Sequence, residues 1–187
     1  KGLNQAVAAA RIGATVCLVG AVGDDDAGRR LASVLHEEGV GDRLRVVDGS
    51  ASGTALIEVD ATGENRIVVV PGANAALTQD DVTVAASRLG TPAVVLAQAE
   101  IPLTAAYAAM AWGRSCGAVT IFNPSPVGPL PDGFLHAVDV LVANEHEAAS
   151  IAGVPITSGD DALRAARQLL GLGPRTVLFP RVVVDEG

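Results

Sequence analysis

Lysine is almost missing from this chain: Lys1 is the only one in 187 residues, and the arginines stand singly or in one pair. With a net charge of −8 and no basic stripe, a nucleic-acid or anionic-membrane surface is excluded, because phosphate binding draws on clustered cations. Two cysteines, Cys17 and Cys116, lack the Cys or His neighbours of a zinc site, and both are expected to be reduced, buried thiols. His36, His136 and His146 are isolated, with no metal-ligand or triad spacing. No run approaches the ~20 apolar residues of a membrane span, and no signal peptide precedes the domain, so a cytoplasmic protein is expected. No Gly-x-x-x-x-Gly-Lys-[Ser/Thr] loop occurs. Gly20-Ala21-Val22-Gly23 lacks the dinucleotide fingerprint, and Gly171-Leu172-Gly173 is stopped by Pro174. A Walker-type nucleotide loop and a Rossmann dehydrogenase are both disfavoured.

What is present is a core-forming α/β rhythm. Apolar residues make up 49% of the chain and charged residues 18%, enough for one sizeable core with a small appended subdomain. The pattern predicts a helix at 5–12, a buried strand at 16–22 and a helix opened by Asp24, Asp25 and Asp26. Short strands follow at 44–48, 54–60 and 66–71, the last two joined as a hairpin across 61–65. Alternation of Ile57 and Val59 with Glu58 and Asp60 suggests that one face is exposed or covered by something else, which suits a two-sided partner. From Thr78 onward come helices at 79–89, 102–115, 145–152 and 160–171, interleaved with strands at 93–98, 119–122, 138–143 and 176–178. Strands alternating with helices of this length imply right-handed crossovers and a mostly parallel sheet.

Ligands of such sheets sit beyond the carboxyl ends of the strands, where Glu100, Asn123 and Asn144 each follow a predicted strand. Read locally, each also has a purely structural explanation. Asn4 beside Lys1 reads as a helix-start residue, and Glu100 as a solvated strand-end carboxylate. Asn144 and Glu147 have the spacing of an N-cap and its capping box. The aspartate run lacks the alternate spacing of a calcium loop and reads as a helix N-terminus. Asn123-Pro124-Ser125-Pro126 reads mainly as a stiff structural loop, with Asn123 a weaker candidate for lining the site.

Taken as an ordered set, five segments resemble the ribokinase family of ATP-dependent sugar kinases. They are Lys1-Gly2-Leu3-Asn4-Gln5, Gly72-Ala73-Asn74, Gln98-Ala99-Glu100-Ile101-Pro102, Asn123-Pro124-Ser125-Pro126 and Asn144-Glu145-His146-Glu147. The resemblance implies a ribokinase-like α/β fold: a mostly parallel sheet with helices on both faces, formed by 1–42 and 76–187, and a small β lid at 43–75. It implies Lys1, Gly2, Asn4 and Glu100 as substrate-binding residues, Asn144 beside the nucleotide, and Glu147 organising Mg2+ largely through water. ATP would be the co-substrate, ribose the favoured sugar, a monovalent cation a further activator, and a homodimer through the lid the expected assembly.

The family's catalytic base is the aspartate of a Gly-Ala-Gly-Asp motif, which these residues do not contain, so no catalytic residue is assigned and this fragment alone is expected to be inactive. The family's first strand is expected upstream of Lys1. Residues 179–185 resemble a later strand of the family, which suggests a segment missing between Leu178 and Phe179. The competing expectation is a sugar- or nucleotide-binding module without phosphoryl transfer.

Overall fold

The computed structural model describes residues 1–63 and 65–180. The chain divides into two compact units, Lys1–Ala85 with Glu100–Pro102, and Ala86–Ala99 with Leu103–Gly187.

In the first unit, α1 (Gly2–Arg11) leads into β1 (Cys17–Gly23), α2 (Asp26–Glu37) and β2 (Gly41–Val47). Parallel pairing of β1 and β2 follows from this strand–helix–strand order, which is too long a connection for a hairpin. Ala6, Leu35 and Val40 form the small core beneath, with Leu3, Val16, Leu18 and Leu44 packed around them. The short strand expected at 44–48 therefore begins earlier and belongs to a parallel pair. Similarly, α1 starts at Gly2, not at Gln5, because Gln5 N–H already bonds to Lys1 O at 3.0 Å. Cys17 opens β1 and is exposed, while Cys116 is half-buried, so neither thiol is the buried one its apolar surroundings suggested.

The aspartate run does serve the helix. Asp25 caps α2, accepting from Gly28 N–H at 2.7 Å, and reaches across to Ser52, accepting its N–H at 2.8 Å and its hydroxyl at 2.6 Å. The buried Ser52 hydroxyl in turn accepts from Gly23 N–H. This network fixes the root of an antiparallel hairpin, β3 (Thr54–Val59) and β4 (Asn65–Val70). Gly72 closes the root at φ +51°, where a Cβ would lie 2.4 Å from Ala51 O, so only glycine fits. Beyond it the hairpin is uncovered: Leu56, Ile57, Val59, Ile67 and Val68 are all more than half exposed. A 3₁₀ turn over Gly72–Ala76 and then α3 (Gln79–Ala86) follow.

The second unit holds β5 (Val94–Gln98), α4 (Leu103–Ser115), β6 (Val119–Asn123), β7 (Val140–Val142), α5 (Glu145–Ala152), α6 (Gly159–Leu170) and β8 (Thr176–Leu178). The four strands are parallel in the order β5-β6-β7-β8. Helix α4 lies close on the Val95 and Thr120 face, where a Cβ on Gly113 would stand 2.9 Å from both side chains. Phe122 is fully buried, its ring 4.7 Å from Phe134, which in turn lies 5.8 Å from Tyr107. A 3₁₀ turn over Phe134–Ala137 shortens the strand expected at 138–143 to Val140–Val142. The opposite sheet face, with Val94, Leu96 and Val119, is 43–51% exposed. Residues 181–185, most of the stretch read as a later strand, lie outside the described residues, and no described helix is long and apolar enough to cross a membrane.

Several carboxylates are held ionised by hydrogen bonds. Asp161 accepts from the Thr157 hydroxyl and N–H at the start of α6, which takes it from the ordinary 3.8 to about 2. Asp139 is lowered by Thr120 N–H and hydroxyl, and by Arg175 and Arg114. Asp25 is lowered by the Ser52 hydroxyl and N–H and by Gly28 N–H. A depressed carboxyl contributes stability that is fully present above its unfolded value and is lost as pH falls through the folded one. The melting temperature is therefore expected to fall steeply between about pH 4 and pH 2. Asp161→Asn should make that fall shallower; an unchanged pH profile in this variant would contradict the assignment.

Candidate functional site

Two polar clusters stand out, one in each unit. In the first, the start of α1 meets Glu100, two residues past the end of β5 in sequence. Lys1 Nζ donates to Glu100 Oε1 at 3.1 Å, a contact 99 residues apart in sequence. Both side chains keep solvent access, 41% at Lys1 and 26% at Glu100. Gly2 begins α1 next to this pair. Asn4 is exposed and borders a shallow groove with Val7, Ala8 and Arg11, and its carboxamide makes no hydrogen bond among the described residues. The structure thus joins Lys1 and Glu100 directly and leaves Asn4 unengaged on the adjacent turn.

The second cluster lies at the carboxyl ends of β6 and β7. Asn144 caps α5: its side chain accepts from Glu147 N–H at 2.8 Å, and Glu147 Oε2 accepts from Asn144 N–H at 3.0 Å, a complete capping box. Glu147 is only 6% exposed. Oε2 also faces Asn123 Nδ2 at 3.4 Å, whereas Oε1 accepts no hydrogen bond among the described residues. The carboxylate therefore presents one occupied and one open oxygen. Asn123 is anchored by a 2.8 Å bond from Nδ2 to Val142 O. Local sequence assigned Asn123 mainly to loop structure; the signal for more was its place one residue past the predicted strand end, parallel to the segment leading to Asn144.

Among the described residues no group of three or more His, Cys, Asp or Glu could hold a metal ion unaided. A single buried carboxylate with a free oxygen fits magnesium, which keeps several waters and takes one or two carboxylates together with substrate phosphates.

The sequence pattern of the pfkB family carbohydrate kinase matches residues 1–181. The chain belongs to that family. Ribokinase from Haemophilus influenzae is 32% identical over 180 residues, covering 96% of this chain and 59% of that protein. Ribokinase from Bacillus subtilis is 41% identical over 150 residues, 80% of this chain and 51% of that protein. The structure of Arabidopsis thaliana ribokinase complexed with ribose and ATP superposes with a TM-score of 0.84 at 27% identity, over 95% of this chain and 59% of that one. This pfkB-family chain is thus a mixed α/β protein with mostly parallel strands, and it spans less than two thirds of the length of each of these relatives.

Proposed function

We propose that the full-length protein transfers the γ-phosphoryl group of ATP to a hydroxyl of a small sugar, with ribose the leading substrate. The observation that carries this reading is the Lys1–Glu100 pair, a charged donor and acceptor set with solvent access, formed by segments 99 residues apart in a carbohydrate-kinase chain. A polyol is bound by such groups because each hydroxyl both donates and accepts. Glu100 accepts from sugar hydroxyls, Lys1 Nζ and the Gly2 N–H donate to them, and the free Asn4 carboxamide does either.

In the other unit Asn144 stands at the nucleotide phosphates, beside the N-terminal N–H groups of α5. Glu147 would organise Mg2+, largely through water, with the carboxylate oxygen that the capping box leaves free. When bound, Mg2+ neutralises charge on the phosphates, and catalysis of this type is mostly positioning and electrostatics. The segment 43–75 is the lid, and its apolar hairpin has a face to exclude water from the sugar and a face to bury against a second copy in a homodimer. No catalytic base is assigned within these residues. A cytoplasmic location and a monovalent-cation activator complete the proposal.

Calorimetric titration of ribose into the full-length protein tests the sugar site. Glu100→Ala is expected to weaken ribose binding about thirtyfold, the effect of removing hydrogen bonds to a charged group. Unchanged affinity in the variant would remove Glu100 from the site.

A further inference from the structure

We infer that Asn123 is a positioning residue for Glu147, fixing the orientation of its carboxylate so that one oxygen stays free of protein donors. The inference rests on reading Glu147 as the group that organises magnesium. Strands β6 and β7 run parallel with Phe122 opposite Leu141, so Asn123 comes to lie beside Val142, two residues before Asn144. Pro124 follows and is fully buried, which restricts Asn123 to extended backbone and holds its side chain at the strand end. The loop beyond is tied back where Ser125 O accepts from Ala99 N–H at 3.2 Å.

From that fixed base the two hydrogens of Nδ2 have two different targets. One goes to Val142 O at 2.8 Å, a strong bond that sets the plane of the amide. The other points toward Glu147 Oε2 at 3.4 Å, a long contact whose value is directional, since Oε2 already accepts from Asn144 N–H at 3.0 Å. Oε2 is thereby enclosed by donors from the ends of two adjacent strands. With both present, turning the carboxylate out of this plane would strip two donors from a nearly buried group, so its orientation is held and the second oxygen stays open. Without Asn123 only the cap donor restrains it. Outer groups that orient a metal's ligands typically change its affinity 10- to 100-fold when removed, and the long contact places Asn123 at about the lower end.

The test is Mn2+ binding, read by electron paramagnetic resonance with ADP present, on the full-length protein and its variants. Asn123→Ala is expected to weaken Mn2+ binding about tenfold. The near-isosteric Asn123→Leu fills the same space without the Nδ2 donor, and it is expected to weaken Mn2+ binding to a similar extent. A role confined to supporting the loop would lower the melting temperature of Asn123→Ala and leave both metal readouts at the parent values, which would overturn the inference. Glu147→Gln separates the two readings. If it loses Mn2+ affinity while Asn123→Ala does not, the positioning role alone fails; if Glu147→Gln also keeps its affinity, the reading of Glu147 fails with it.

Discussion

Replacing Glu147 by glutamine in the full-length protein is expected to raise the Mg2+ concentration needed for half-maximal turnover by about 10- to 100-fold, with little change in melting temperature. The separation of the two effects comes from the geometry of the box. Glutamine serves the capping box as glutamate does, so its carbonyl oxygen accepts from Asn144 N–H and the start of α5 stays closed. What disappears is the negative charge and the open Oε1, the features that suit a hydrated magnesium ion. Magnesium titrations of turnover beside thermal melts distinguish the outcomes. A fall in stability with an unchanged magnesium requirement would make Glu147 a capping residue and nothing more.

The largest expected loss of stability is at Phe122. Its ring is fully buried at the centre of the second unit, on a strand flanked on both sides by parallel neighbours, and packs against Phe134. Truncation to alanine removes that burial and leaves a cavity that a strand hydrogen-bonded on both edges cannot collapse into. The expected cost is about 3–5 kcal/mol, read as a shift in the urea midpoint. Because Phe122 directly precedes Asn123, the same variant should also loosen the strand end that carries the second cluster. A cost below about 1 kcal/mol would show that the second unit repacks around the gap.

The parts of this fold that local sequence revealed are those whose cause is local. The apolar runs at 93–98 and 119–122, bounded by Gly and Pro and separated by helical patterns, become β5 and β6 within a residue. Asn144 with Glu147 three positions on is a spacing with one local meaning, and both halves of the box form. The misjudged parts depend on partners far along the chain. Strand β2 reads as a separate short strand at 44–48, grouped with the lid, because no local feature shows that it pairs with β1. The proximity of Asn123 to Glu147 is set by the register of β6 on β7, which side-chain pattern alone does not fix. The Lys1–Glu100 contact is further still from local rules: only the resemblance of the two motifs suggested that they serve one ligand. Val94, Leu96 and Val119 on one face of the second unit's sheet, and the apolar side chains of the hairpin, are 43–65% exposed.

Following ADP formation by the full-length protein with Mg-ATP, in the presence and absence of ribose, decides whether these residues are the sugar- and nucleotide-binding part of a sugar kinase. The expected result is ADP released in step with phosphorylated ribose and none without sugar. Ribose bound but no sugar-dependent ADP, with ribose, deoxyribose or fructose as acceptor, would contradict it and make the protein a binding module that lacks phosphoryl transfer.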